Sequence, residues 1–134
     1  MPDNRPTIHR DRLKEGKRYM RIKLLAGSAS EEALREEFGK AKKAAEARLG
    51  EHFLFYRYFI RIRAIAYGEI KKAYLRIESG ESGDLPVTEH YLMIVDKQEK
   101  VHKLRMEHPE DTREVLAYLE EHFPSIAIGH YRKQ

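Results

Sequence analysis

The sequence predicts an α+β domain in which a curved antiparallel sheet or barrel is capped by a C-terminal helix, with an additional strand and helix at the N-terminal side. Three observations predict it. Residues 53–106 hold runs of aromatic and β-branched side chains separated by turn residues. A helix-period stripe precedes those runs, between Ala29 and Leu49, and a second one follows them, from Pro109 to Phe123. The short links between the strand runs favour antiparallel pairing.

From Arg18 to Leu25, Met20, Ile22 and Leu24 alternate with Tyr19, Arg21 and Lys23, the pattern of a half-buried strand that ends at Gly27. Ser28 and Glu31 have the spacing of a capping box, with Ser30 as a competing cap. The helix that follows is expected over 29–49, with Leu34, Phe38, Ala41, Ala45 and Leu49 on one stripe. Its glutamates crowd the start and its lysines the end, as the helix dipole favours. Gly50 is the expected left-handed stop, and Gly39 marks a close packing contact inside the helix.

Residues 53–66 read as one bent strand or as two strands with a corner near Arg57 and Tyr58, and Ile70 to Glu78 as a further strand. Ser79 to Pro86 reads as a loop, and Tyr91–Val95 with Val101–Met106 as a hairpin. Pro109 opens the last helix, whose buried stripe is Val115, Leu116, Leu119 and Phe123, and Ile126–Ile128 adds a short edge strand. The chain is therefore expected to comprise a mobile arm at 1–15, one domain over 16–131 that includes the helical elaboration at 29–49, and a tail at 132–134.

The 134 residues carry a net charge of +4, unevenly spread: residues 1–28 and 53–77 are each +5, whereas 78–134 are −5. Such a field orients the molecule toward an anionic partner or toward a second copy of itself. No cysteine is present, which excludes disulfides, thiolate metal sites and thiol nucleophiles and favours a cytoplasmic setting. No apolar run reaches the length of a membrane span, and the first residues lack the apolar core of a signal peptide.

The residues from 52 to 123 resemble the pleckstrin-homology and GRAM-like superfold as it occurs in small bacterial proteins. The likeness is carried by the strands Phe53-Leu-Phe-Tyr56 and Tyr58-Phe-Ile-Arg-Ile62, and by Ile65-Ala-Tyr-Gly-Glu-Ile70 leading into Lys71-Lys-Ala-Tyr-Leu-Arg-Ile77. The hairpin over 90–106 and the helix to Phe123 follow in the family's order. Ala66 stands where the family often has proline, and the elements at 18–49 lie outside its common core. The resemblance implies a PH-like fold and a binding or scaffolding role. It carries no phosphoinositide site onto this chain, because the corner where lipid-binding members concentrate cations offers only Arg57.

The candidate ligand-binding face is Arg57, Arg61 and Arg63, expected to be phased with one another, beside Lys72, Tyr74 and Arg76 on the neighbouring strand. Cations around an aromatic ring suit phosphate contacts with base stacking, or attraction to an anionic bilayer. The competing expectation is that the helix at 29–49 covers this face and pairs its glutamates with the arginines, since Phe59 and Ile65 share their parity.

No metal site is expected: His52, His90, His108 and His122 each follow a glutamate, but no two share the spacing that puts two ligands on one helical face. The glycine loop around Gly80 and Gly83 precedes a strand and lacks the Lys-Ser/Thr pair of a phosphate cradle. No nucleophile elbow occurs, and Glu36–Glu37 lie on a solvated helix surface, so no catalytic residue and no cofactor is expected. The expectation is a non-enzymatic module that contacts a protein or an anionic membrane surface, with self-association through strand edges. The alternative is a small nucleic-acid-binding protein that uses the basic strand face.

Overall fold

A computed structural model of the chain describes residues 21–133. Nine strands and two helices are described: β1 (Ile22–Ala26), α1 (Glu31–Lys40), β2 (Lys42–Ala44), β3 (Ala47–Leu49), β4 (Phe53–Tyr58), β5 (Arg61–Ala66), β6 (Ile70–Ser82), β7 (Leu85–Asp96), β8 (Val101–Met106), α2 (Pro109–His122) and β9 (Ala127–Lys133). They form a mixed α+β fold with a five-stranded sheet, β1-β5-β4-β3-β2, and a four-stranded sheet, β8-β7-β6-β9. The expected arm at 1–15, the start of the strand expected from Arg18, and Gln134 lie outside the described residues.

Two antiparallel meanders, β2 to β5 and β6 to β8, make up most of the two sheets. Each gains one parallel strand from outside its meander, β1 on β5 and β9 on β6, so the pairing is not antiparallel throughout. Leu54 and Tyr56 of β4, Ile65 of β5, Ala73 and Leu75 of β6, and Leu92 and Ile94 of β7 meet in one core. Val115, Leu116 and Leu119 of α2 pack into the same core, as the apolar stripe of that helix predicts. The opposite face of the five-stranded sheet carries Ile22, Phe53, Phe55, Ile62 and Ala64, which pack against Leu34 and Phe38 of α1. Two-sided burial explains why Phe53 to Tyr56 form an unbroken apolar run: alternate residues serve different layers and all four are buried.

The helix expected over 29–49 is the main correction. It starts where Ser30, not Ser28, accepts the backbone N–H of Ala33 at 3.1 Å, and it ends at Lys40, with Ala41 already extended. Residues 42–49 form a hairpin instead, with Lys42 opposite Leu49 and Ala44 opposite Ala47. Leu34, Phe38 and Ala41 keep the predicted stripe against the outer sheet face, whereas Ala44, Ala47 and Leu49 are buried in the other core. Alanine, lysine and glutamate favour a helix locally, but the β2–β3 hairpin paired onto β4 buries Ala44, Ala47 and Leu49, and that tertiary gain exceeds propensities of a few tenths of a kcal/mol per residue. A β-carbon at Gly39 would meet nothing within 4 Å, so that glycine marks no packing contact. Gly50 is not a left-handed helix stop; its missing side chain makes room for the Glu37 carboxylate.

The loop expected at Ser79–Pro86 is mostly strand: β6 and β7 stay paired out to Ser82 opposite Leu85. Three hairpins thus have two-residue loops, Ala45–Glu46, Phe59–Ile60 and Gly83–Asp84. Each takes a positive φ at its first position, 58°, 58° and 67° respectively. Gly83 adopts this freely, but alanine and phenylalanine do so at a cost of about 1–2 kcal/mol. No helix among the described residues is long and apolar enough to cross a membrane.

Candidate binding surface

Tyr58 pairs with Arg61, so Phe59 and Ile60 occupy the tip of the β4–β5 hairpin. They are 79% and 82% exposed, the two most exposed large apolar side chains described, and Tyr58 beside them is 41% exposed. The Tyr58 and Phe59 rings meet edge to face at 4.6 Å, and the Arg63 guanidinium lies 3.8 Å above the Tyr58 ring. Arg57 and Arg61 are exposed on either side of the tip, and neither has an ion-pair partner among the described residues. No acidic residue occurs between Phe53 and Gly68. The parallel strand β1 adds Lys23 beside Arg63, and the carbonyl of Arg21 accepts the backbone N–H of Ile62 at 3.2 Å. An apolar tip thus projects from a collar of cations with no neighbouring carboxylate in its own hairpin.

The six residues expected to share one face divide into three groups. A two-residue hairpin pairs residue 58 with 61, which swaps odd and even positions between the strands; Arg57 therefore lies with Ile62, and Arg61 and Arg63 lie with Tyr58 and Tyr56. Arg57 consequently faces the α1 side, whereas Arg61 and Arg63 face the other. Lys72, Tyr74 and Arg76 are not on a neighbouring strand at all: β5 and β6 belong to different sheets. On the four-stranded sheet Lys72 lies 5.3 Å from the Tyr74 ring centre, and Arg76 Nε pairs with Glu78 at 3.0 Å. Lys103 also reaches Glu78 at 3.0 Å, so one carboxylate is shared by two of the cations on that surface. Nor do the α1 glutamates pair with the hairpin arginines. Glu31 bonds Arg35 at 2.9 Å within the helix, and Glu37 accepts the backbone N–H groups of His52 and Phe53 at 2.7 and 2.8 Å.

Behind the hairpin, α1 leaves part of the outer sheet face uncovered. A cleft of about 430 Å³ opens there over Ile22, Phe38 and Ile62, and Arg35, Arg48 and Arg57 line it. An adjoining depression of about 390 Å³ runs from Phe38 and Arg57 to Phe59 at the tip. Arg48 lies over the Phe38 ring at 4.3 Å, and Arg35 Nε is buried without an acceptor among the described residues. A third depression, of about 630 Å³, lies beside the Glu37–His52 pair, where Glu37 Oε1 is 3.1 Å from His52 Nδ1. Ser28 and Ser125 line it, but neither is hydrogen-bonded to His52, and the Glu37 carboxylate is engaged in holding the 50–53 turn.

Sequence reasoning missed Phe59 and Ile60, whose signal was two adjacent apolar residues between arginines at a turn that contains no turn-forming residue. It also missed Arg35 and Arg48, which converge only because the predicted helix breaks between them. Among the described residues no three His, Asp or Glu side chains are placed to hold a metal ion.

Two packed meander sheets, with α1 on the outer face of the five-stranded sheet and α2 in the core that the sheets share, make a mixed α+β domain that presents an apolar hairpin tip between arginines and an arginine-lined cleft. The chain belongs to the family of a domain of unknown function, DUF6709, whose profile matches residues 13–134. No curated protein matches the chain. No solved structure matches it.

Proposed function

We propose that the chain is a non-enzymatic module of pleckstrin-homology-like fold that attaches to an anionic membrane surface through the β4–β5 hairpin. The order of four meander strands, three meander strands and a closing helix supports the PH-like reading. The observation that carries the function is the exposed Phe59–Ile60 tip between Arg57 and Arg61. Apolar side chains left in water at a loop tip gain about 1.5–3 kcal/mol each when they enter an apolar phase. Each cation held against an anionic leaflet adds about 1 kcal/mol. Two such side chains and three arginines give reversible attachment, in the range of a single weak anchor. The left-handed backbone at Phe59 supports the same reading, since an aromatic residue occupies that conformation at a cost to the fold. The nucleic-acid alternative needs Arg57, Arg61 and Arg63 to share one face with Lys72, Tyr74 and Arg76, and it ranks second because these residues are divided between two sheets and Arg76 is paired with Glu78.

The test is co-sedimentation with phosphatidylcholine vesicles, with and without phosphatidylserine. The protein is expected to pellet with the anionic vesicles and to stay in the supernatant with the neutral ones. Phe59→Gly separates binding from folding. Glycine relieves about 1–2 kcal/mol of left-handed strain, partly offset by its freer unfolded state. Thermal stability is therefore expected to hold or rise while vesicle binding falls. Equal pelleting of Phe59→Gly and the parent protein would sink the hairpin as the attachment point.

A further inference from the structure

We propose that the cleft between α1 and the outer face of the five-stranded sheet is a binding site for a phosphate monoester carried on an apolar chain. Three elements converge on it: Arg35 from α1, Arg48 from β3 and Arg57 from β4 all line one cavity. Its floor is apolar, formed by Ile22, Phe38 and Ile62. The volume of about 430 Å³ falls within the range of small-molecule sites, about 300–1,000 Å³.

The donors in this cleft are under-used. Arg35 gives one bond to Glu31 and keeps a buried Nε without an acceptor. Among the described residues the Arg48 guanidinium has the ring of Phe38 and no ion pair, and Arg57 has no ion pair. A guanidinium presents five donors in a fixed fork that matches the oxygens of a phosphate. Three arginines against the single carboxylate of Glu31 leave a local charge of +2, which a phosphate monoester, at about −1.5 to −2 near neutrality, complements. A carboxylate would leave one positive charge unbalanced. The apolar floor next to the cations calls for a ligand with an aliphatic or aromatic body behind its phosphate. This site shares Arg57 with the hairpin attachment, but it lies under α1 and does not use Phe59 or Ile60 as an anchor.

The ligand chemistry is shared by two sources, a soluble phosphorylated amphiphile and a lipid whose headgroup is a bare phosphate. Calorimetric titration with octyl phosphate below its micelle-forming concentration probes the first, and vesicles containing phosphatidic acid probe the second, with inorganic phosphate as the reference. Octyl phosphate or phosphatidic acid is expected to bind at least about tenfold more tightly than inorganic phosphate, and Arg48→Gln to weaken that binding about tenfold, the scale of one lost charge-assisted contact. Gly39 lines the cleft and stands in open space, so Gly39→Leu places a side chain in the cavity with every arginine retained. It is expected to abolish the preference for octyl phosphate while leaving attachment to phosphatidylserine vesicles intact. If neither probe binds better than inorganic phosphate, or if both variants bind as the parent does while keeping its circular dichroism, the site is refuted. Loss of phosphatidylserine attachment in Phe59→Gly alone concerns the hairpin and leaves this site standing.

Discussion

Replacing Asp96 with alanine is expected to cost about 3 kcal/mol of stability at neutral pH, the scale of stranding the buried hydrogen-bond donors that its carboxylate satisfies. Asp96 is 1% exposed and sits where β7 turns toward β8. Its Oδ1 accepts the backbone N–H groups of Gln98 and Lys100 at 2.9 and 3.0 Å, and its Oδ2 lies 3.0 Å from His102 Nε2. Alanine would strand those donors and release a turn that holds Glu99 at φ 68°. Burial alone pushes the Asp96 carboxyl up, but the His102 hydrogen bond, the two backbone donors and the charge of His102 outweigh it, and the group titrates below its ordinary value. A carboxyl depressed on folding stabilises the fold fully above its unfolded pKa of about 4 and loses that contribution as pH falls through the lower folded value. Urea melts of the parent and Asp96→Ala should thus differ most near pH 7 and converge in acid. A gap that stayed constant down to pH 2 would show that the charge is not what holds the turn.

Gly50→Ala is the second substitution with a large expected effect, a loss of about 3 kcal/mol, which combines overpacking with broken hydrogen bonds. A β-carbon at position 50 would collide with Glu37 Oε2 and would lie 2.9 Å from both the Phe53 carbonyl oxygen and Phe55 Cε2. The oxygen cannot move away, because it accepts the N–H of Gly50 at 2.9 Å. Nor is Glu37 free to retreat without giving up the N–H groups of His52 and Phe53. The Gly50 carbonyl meanwhile accepts the hydroxyl of Tyr67 at 2.9 Å, in a site whose burial pushes that phenol well above its ordinary range. The turn is consequently packed on every side, and denaturant melts of Gly50→Ala against Glu37→Gln would divide the cost between the clash and the carboxylate. A Gly50→Ala midpoint within error of the parent would refute the packing argument.

The elements legible in the sequence are those whose pattern and local chemistry agree. Pro109 with the stripe Val115, Leu116 and Leu119 predicts α2 where it lies, and the alternation in Ile70–Ile77 identifies β6 and its inward face. The errors fall where local preference and tertiary pairing conflict. Ala45–Glu46 and Phe59–Ile60 turn the chain without a glycine, an asparagine or a proline, so nothing in composition marks either hairpin. Missing the first merges β2 and β3 into α1. Locating the second only as a corner leaves the strand phase undetermined, and with it the face that each arginine serves. The candidate surface was half legible for the same reason: Arg57, Arg61 and Arg63 were recognisable as a cluster, but the apolar tip between them and the convergence of Arg35 and Arg48 on Arg57 in the cleft depended on turns that no residue type announces.

The two parallel strands make the order of assembly unequal across the molecule. Within each meander, neighbours in space are neighbours in sequence, and their ends meet over short loops. β1 joins β5 only by bringing Ile22 to Ile62, and β9 joins β6 by bringing Ala127 back to Lys72. Closing such long loops is slow compared with closing a hairpin, because the entropy is lost before any contact repays it. The meanders are thus the early-forming units, and the two outer parallel strands are late additions that fasten both ends of the described fold.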